Sequence, residues 1–297
     1  MVKAPGRLLV VATPIGNLAD LSPRARETLQ DASVVAAEDT RRTRLLLQAA
    51  GVGTPLVSLH EHNEAQRVPE LLARLAQGED VALVSDAGTP LLSDPGFELV
   101  RCAAQAGFTV HTIPGPSAIT AALAVAGLPT HRFCFEGFLP ARAAERRAAL
   151  ASLAHETRTL VFFEAPHRIE ATLAELAAQF GADRRAVVAR ELTKAHETLY
   201  RGPLGELLTR ARAEENFARG ELTLIVEGAP VAAASVGGAE LRRTMDILLR
   251  ELPPGRAAAT AAALTGATRA AAYALATRGG GAGLVRAAPP PDDEEMP

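Results

Sequence analysis

Over roughly the first 115 positions, apolar residues gather in short runs separated by longer stretches of spaced Leu, Ala and Val. The runs at 7–12 (RLLVVA), 33–37 (SVVAA), 55–58 (PLVS), 81–85 (VALVS) and 109–113 (TVHTI) have the length of strands. The stretches at about 22–31, 41–50, 65–77 and 93–106 carry helical spacing. Short apolar strands alternating with helices predict a parallel sheet covered on both faces. Ligands of such sheets collect outside the carboxyl ends of the strands.

The pattern changes further on. Strands are predicted at 132–136, 158–164, 186–191, 196–201 and 221–227. The pair 186–191 and 196–201 lies too close for a helical crossover, so an antiparallel hairpin is expected there. The chain therefore reads as α/β. A parallel, doubly wound domain spans 1–115, and a second domain with a mixed sheet spans 116–230. Residues 229–238 (APVAAASVGG) read as a linker and 239–278 as a small helical segment. The Gly- and Pro-rich tail at 279–297 has the composition of a disordered segment.

Composition narrows the class. The 297 residues are 48% hydrophobic and 22% charged, and no run approaches the ~18 apolar residues of a membrane span. The N-terminal apolar run breaks at Pro14 and Gly16 without a cleavage pattern, so it reads as a strand and not a leader. Cys102 and Cys134 lack metal spacing and read as packing residues of a reduced cytoplasm. A net charge of −3 excludes a globally basic surface for nucleic acid while permitting a local basic face.

The loops after the strands carry the candidate chemistry. "TPIGN" follows the first strand where a dinucleotide fingerprint would lie, but G-x-G-x-x-G is absent and Pro14 offers no N–H to a pyrophosphate. "SDAGTPLLSDPG" packs turn-formers and two aspartates at the end of the fourth strand. "IPGPSA" follows the fifth, with Ser117 placed to cap the next helix. No P-loop and no G-x-S-x-G elbow occurs. His60-Glu61-His62 is not a zinc helix and lacks a third ligand, so no metal is expected.

Taken in order, "VATPIGNLADLSPRARETL", "VVAAEDTRRTRLLL", "SLHEHNE", "LVSDAGTPLLSDPGFELV", "IPGPSAITAALAVAGLPT", "FCFEGFLPAR", "LVFFEAPHRI", "VVARELTKAHETLYRG" and "GELTLIVEG" resemble the ribosomal RNA small subunit methyltransferase I family. The likeness covers roughly residues 7–228. "TAAALTGATRAAAYALA" is similar, more loosely, to the family's C-terminal helix pair. The resemblance implies a two-domain tetrapyrrole-methylase-like fold with S-adenosylmethionine in the cleft. It implies 2′-O-methylation of a cytidine ribose in the decoding region of 16S rRNA, presented as rRNA or as the small ribosomal subunit, and a cytoplasmic homodimer. Related small-molecule methylases carry G-x-G-x-G and a GDP-type loop where this chain has TPIGN and SDAGTP, which favours the RNA branch. A methylase of a small tetrapyrrole-like substrate and a non-catalytic ribosome-binding module are the alternatives.

By the same resemblance the cofactor falls to Pro14, to Asp86, Ala87, Gly88 and Thr89, to Ser117 and Ala118, and to Glu164, Leu222 and Thr223 of the second domain. Of the two loop aspartates, Asp86 is expected to serve function and Asp94 structure, in the cap and turn of the following helix. A ribose hydroxyl is weakly acidic and benefits from a proton acceptor. Glu38, Asp39, His60, Lys194 and Glu197 are the candidates, with no choice among them. Arg41, Arg42, Arg142, Arg146, Arg147, Arg168 and Arg190 read either as RNA contacts or as solvated helix charges. With 2 Tyr, 9 Phe and no Trp, recognition is expected to lean on shape, phosphate and the 2′-hydroxyl and not on an aromatic platform.

Overall fold

The computed structural model describes residues 4–230 and 238–278. β1 (Arg7–Val11), β2 (Val34–Ala37), β3 (Leu56–Ser58), β4 (Val81–Val84) and β5 (Thr109–Ile113) form one sheet in the order β3-β2-β4-β1-β5. Every pairing in it is parallel. Successive side chains take opposite faces. Leu9, Val11 and Val35 enter one core with Ala25 and Leu29 of α1 (Pro23–Asp31) and Leu47 of α2 (Thr40–Ala50). Leu8, Val34 and Ala36 enter the other with Leu71 and Leu75 of α3 (Glu64–Ala76) and Leu99 of α4 (Phe97–Gln105). All four residues of β4 are buried, as a strand between two helical layers requires.

Local signals set the helix starts. Ser22 accepts from the Ala25 N–H ahead of Pro23, and Asp39 accepts from the Arg41 N–H at the head of α2. The fourth helix corrects the sequence reading. It begins at Phe97, not at 93, because Leu91 and Ser93 take left-handed φ values of 76° and 72° and Gly96 takes 112°. Ser93 and Asp94 are therefore loop residues. The cap comes from Glu64 of α3, whose Oε1 accepts the N–H groups of Gly96 and Glu98, each at 3.1 Å.

β6 (Phe133–Phe138), β7 (Thr159–Glu164), β8 (Arg185–Arg190), β9 (Thr198–Pro203) and β10 (Leu222–Val226) form the second sheet, ordered β6-β7-β10-β8-β9. Only β6–β7 is parallel, and β8–β9 is the antiparallel hairpin. α6 (Ala143–Leu153), α7 (Ile169–Phe180) and α8 (Leu204–Ala213) cover one face through a core centred on Phe162 and Phe217. α5 (Ala118–Ala126) covers the other, where Ile119 and Leu123 meet Val161, Val187 and Ile225. Ile15, from the loop after β1, joins this second core, so both sheets belong to one compact unit ending at Ala229.

Cys102 and Cys134 are free, half-buried, and pack against the cores of their own halves. The second compact unit contains α9 (Gly238–Leu248), α10 (Pro254–Thr265) and α11 (Arg269–Arg278) around Leu241, Met245, Ala257, Ala258, Ala261 and Ala272. Residues 231–237 of the expected linker and the tail at 279–297 lie outside the described residues. No described helix is long and apolar enough to cross a membrane.

Candidate active site

The loops leaving β1, β2, β4 and β5 open onto a cavity of about 480 Å³, closed on its other side by the ends of β6, β7 and β10. That volume falls in the range of pockets that hold a small molecule. Asp86, Ala87, Gly88 and Thr89 line it from the β4 loop, and Ser117 and Ala118 from the head of α5. Glu164, Leu222 and Thr223 line it from the second sheet. Pro14 is not among the lining residues; its neighbour Ile15 is, because Pro14 follows the Thr13 bridge and the chain turns Ile15 inward to the second core.

Main-chain stitches hold these loops together. Thr13 and Gly88 exchange N–H···O bonds of 2.8 and 3.0 Å, and the Thr89 hydroxyl donates to the Pro116 carbonyl at 3.1 Å. Gly88 takes φ 81°, and a Cβ there would lie 3.2 Å from the Ile15 side chain. Glycine is needed for both reasons. Ser117 occupies the N-cap of α5 but makes no capping side-chain bond, contrary to the sequence expectation.

Five carboxylates line the cavity, and their partners differ. Asp86 accepts the Asp39 N–H at 3.0 Å and pairs with Arg42 at 3.2 Å, which ties the β4 loop to the head of α2. Glu164 is buried and accepts from the Ala165 N–H at 2.8 Å and the Thr172 hydroxyl at 2.5 Å, with Arg168 3.2 Å away. Glu221 pairs with Lys194 at 3.1 Å. Glu38 and Asp94 have no ion-pair partner among the described residues. Burial, reinforced by Asp86 and Asp94, raises the proton affinity of Glu38. Asp94 is pushed up to about 6 by burial and by Asp86, against a lowering hydrogen bond from Ser85.

The remaining candidates sit elsewhere. Asp39 caps α2 and is held well below the usual carboxylate range by hydrogen bonds from Arg41. His60 donates its N–H to Asn63 and stacks edge-on with His62 at 6.0 Å, off the cavity. Burial pulls Lys194 down, but hydrogen bonds to Glu191 and Glu221 outweigh it and raise its affinity for the proton. The Lys194 stem covers Gly16, and Glu197 accepts the Thr193 N–H within its own loop. Neither lines the cavity.

The arginines divide. Arg41, Arg42 and Arg142 are exposed (87%, 71% and 84%), and Arg147 is over half exposed at 56%. Arg146, Arg168 and Arg190 do not fit the expectation of RNA contact, because the fold uses their donors internally. Arg146 is 7% exposed and forks onto Glu175 at 2.7 and 3.0 Å. Arg168 donates to the carbonyls of Leu139 and Pro140, and Arg190 to those of Arg219 and His196.

Several lining residues were not anticipated. Phe138 and Phe163 meet at 5.6 Å and, with Leu92, give the cavity an apolar wall. In "FCFEGF" a register shift between Phe135 and Gly137, with Gly137 at φ 65°, precedes Phe138 at the cavity. The glycine was the available signal. Asp94, expected to be structural, also faces the cavity.

Comparison with known proteins agrees with this architecture. Residues 7–208 match the model of the Tetrapyrrole (Corrin/Porphyrin) Methylases, and residues 235–278 match the RsmI C-terminal HTH domain. The structure of a cobalamin biosynthetic enzyme, cobalt precorrin-4 methyltransferase, shares the fold with a TM-score of 0.55 at 19% identity, over 74% of this chain and 94% of that one. The fold is thus that of the tetrapyrrole methylases, a family of methyltransferases.

Ribosomal RNA small subunit methyltransferase I of Xylella fastidiosa (strain Temecula1) is 54% identical over 90% of this chain and 97% of its own. The protein of the same name from Pseudomonas aeruginosa PAO1 is 53% identical over 88% and 93%. The chain belongs to the ribosomal RNA small subunit methyltransferase I family.

Proposed function

We propose that the chain transfers a methyl group from S-adenosylmethionine to the ribose 2′-hydroxyl of a cytidine in the decoding region of 16S rRNA, with the rRNA or the small ribosomal subunit as partner. The observation that carries this is the cavity itself: in a family of rRNA methyltransferases, it gathers nine of the ten residues expected to hold the cofactor.

The donor set suits S-adenosylmethionine. Its carboxylate finds the first N–H groups of α5 beside Ser117, a helix end that no side chain caps. Its cationic centre finds a wall with five carboxylates and one arginine, Arg42. Its adenine would be held by Leu222 and Thr223 of β10, with Ala165 and Pro166 also lining the cavity. The bound cofactor supplies a methyl group on positively charged sulfur, already a good donor. The chain's share is alignment, exclusion of water by Phe138, Phe163 and Leu92, and acceptance of a proton.

The exposed Arg41 and Arg42 flank the cavity on α2, and Arg142 and Arg147 lie on α6. They are the cations suited to phosphate, and a homodimer would enlarge that face.

The test is transfer of labelled methyl from S-adenosylmethionine to 16S rRNA and to 30S subunits from a strain lacking this protein. Nucleoside mass spectrometry and primer extension then place the product. A 2′-O-methylcytidine in the decoding region is expected. Methylation of a tetrapyrrole instead, or cofactor-independent binding to 30S subunits alone, would replace the proposal with one of the alternatives.

A further inference from the structure

We infer that Asp94 is the residue that accepts the proton of the ribose 2′-hydroxyl, an assignment that rests on the function proposed above. It follows from where the five cavity carboxylates spend their lone pairs. Asp86 is held by the Asp39 N–H and Arg42, Glu164 by Ala165, Thr172 and Arg168, and Glu221 by Lys194. A carboxylate already bound to a guanidinium or ammonium is a poor proton acceptor, since taking the proton forfeits that pair. Among the described residues, only Glu38 and Asp94 face the cavity without an ion-pair partner.

Three features favour Asp94 over Glu38. Asp94 lies within reach of the Ser85 hydroxyl at the end of β4, which favours its ionised form while bonding the carbonyls of Ala87 and Gly88 at 3.3 and 3.5 Å, so its oxygens stay open to a ligand. Its backbone is fixed: Leu91 and Ser93 sit in the left-handed region, and Gly96 packs against Leu83 with no room for a Cβ. Non-glycine residues held in that region are strained and gather at functional sites. Lastly, Asp94 shares the cavity with Leu92 and Phe138, apolar side chains left 38% and 54% exposed, which a bound substrate would cover and so shield the proton transfer from water. Its ordinary affinity is displaced upward to about 6, which leaves it ionised near neutrality yet basic enough to assist.

The step balances. The hydroxyl O–H bond breaks and its proton goes to Asp94; an oxygen electron pair forms the O–CH3 bond, and the pair of the breaking C–S bond stays on sulfur. The groups that face Asp94 are Ser85 and Asp86 on its own loop and Glu38 at the end of β2. Arg42 on α2 and Glu61 lie beside Glu38.

The experiment uses the full chain with 30S subunits or 16S rRNA and measures single-turnover methyl transfer against pH for wild type, Asp94→Asn, Ser85→Ala and Glu38→Gln. Cofactor affinity is measured by calorimetry, and the Asp94 carboxyl is titrated by carbon NMR in cofactor-free protein. Asp94→Asn is expected to lose on the order of 100-fold or more in rate with cofactor affinity retained. The wild-type acid limb should fall near pH 6, matching the NMR titration. Ser85→Ala removes a hydroxyl that favours the ionised form, so its acid limb moves to higher pH, and this readout stands even if Asp94→Asn folds poorly. A larger loss in Glu38→Gln than in Asp94→Asn, an unmoved limb in Ser85→Ala, or an Asp94 that titrates in the ordinary carboxylate range would overturn the assignment. If wild type forms no 2′-O-methylcytidine at any pH, the proposed function fails, and that result is distinct from an active wild type with an unaffected Asp94→Asn.

Discussion

The two walls of the cavity are built on opposite plans. The wall from the parallel sheet is made of loops, stitched by main-chain bonds and dense in carboxylates, two of which lack a cation. The wall from the mixed sheet is made of strand ends and carries Phe138 and Phe163, while its two carboxylates are paired, Glu164 with Thr172 and Arg168 and Glu221 with Lys194. The same residue type therefore does different work on each side. Arg41 and Arg42 stand in solvent at the head of α2, whereas Arg146, Arg168 and Arg190 are consumed inside the second half. Among the described residues, the carboxylates without a cation lie on one wall, and on the other each carboxylate has one.

The largest effect tests the sealed side. Arg146→Ala leaves half-buried Glu175 without its fork and with only Arg147 3.8 Å away, and a loss of about 2 kcal/mol is expected in denaturant unfolding. A loss like that of an exposed arginine would erase the contrast. Gly88→Ala tests the stitched side: its φ of 81° and the 3.2 Å approach to Ile15 should cost about 1–2 kcal/mol. Cofactor affinity by calorimetry should fall with it.

Smaller, and dependent on pH, is the effect of Asp94 on folding. Its affinity for the proton is higher folded than unfolded, chiefly through burial, so its stabilising contribution is full below the ordinary aspartate value and is lost as pH rises through about 6. Asp94→Asn should therefore raise the melting temperature relative to wild type at pH 8, and the difference should shrink toward pH 4. An unchanged difference across that span would contradict the shift. Smallest is the paired change Arg142→Glu and Arg147→Glu. Each should alter stability by no more than about 0.5 kcal/mol, while each lost phosphate contact should lower the salt slope of RNA binding by about 1.

Alternating apolar runs and helices made the parallel sheet readable, since β4 buried on both faces leaves little else that "VALV" can be. The β4 loop was readable for the same reason: turn residues packed at a strand's carboxyl end have few other uses. Asp94 reads as a turn residue because Ser-Asp-Pro-Gly has the composition of a helix cap, and only the fold shows that it also lines the cavity. The left-handed backbone at Leu91 and Ser93, and a cap supplied by Glu64 from another helix, are tertiary facts. Arg146 looked like a solvated charge because its partner Glu175 is 29 residues away on a different helix. Phe138 escaped notice because the bulge that brings it to the cavity shifts the strand's period.

The Thr13–Gly88 exchange and the Thr89–Pro116 bond have a bearing on how this scaffold can be rebuilt. Three loops distant in sequence are tied together by one backbone bridge and one threonine hydroxyl, so none is an independent module. A chimera that imports the loop after β4 from a small-molecule methylase, and leaves residues 13–16 and 114–118 native, would strip those neighbours of their partners. Retargeting the scaffold therefore means transplanting all three loops as one cassette.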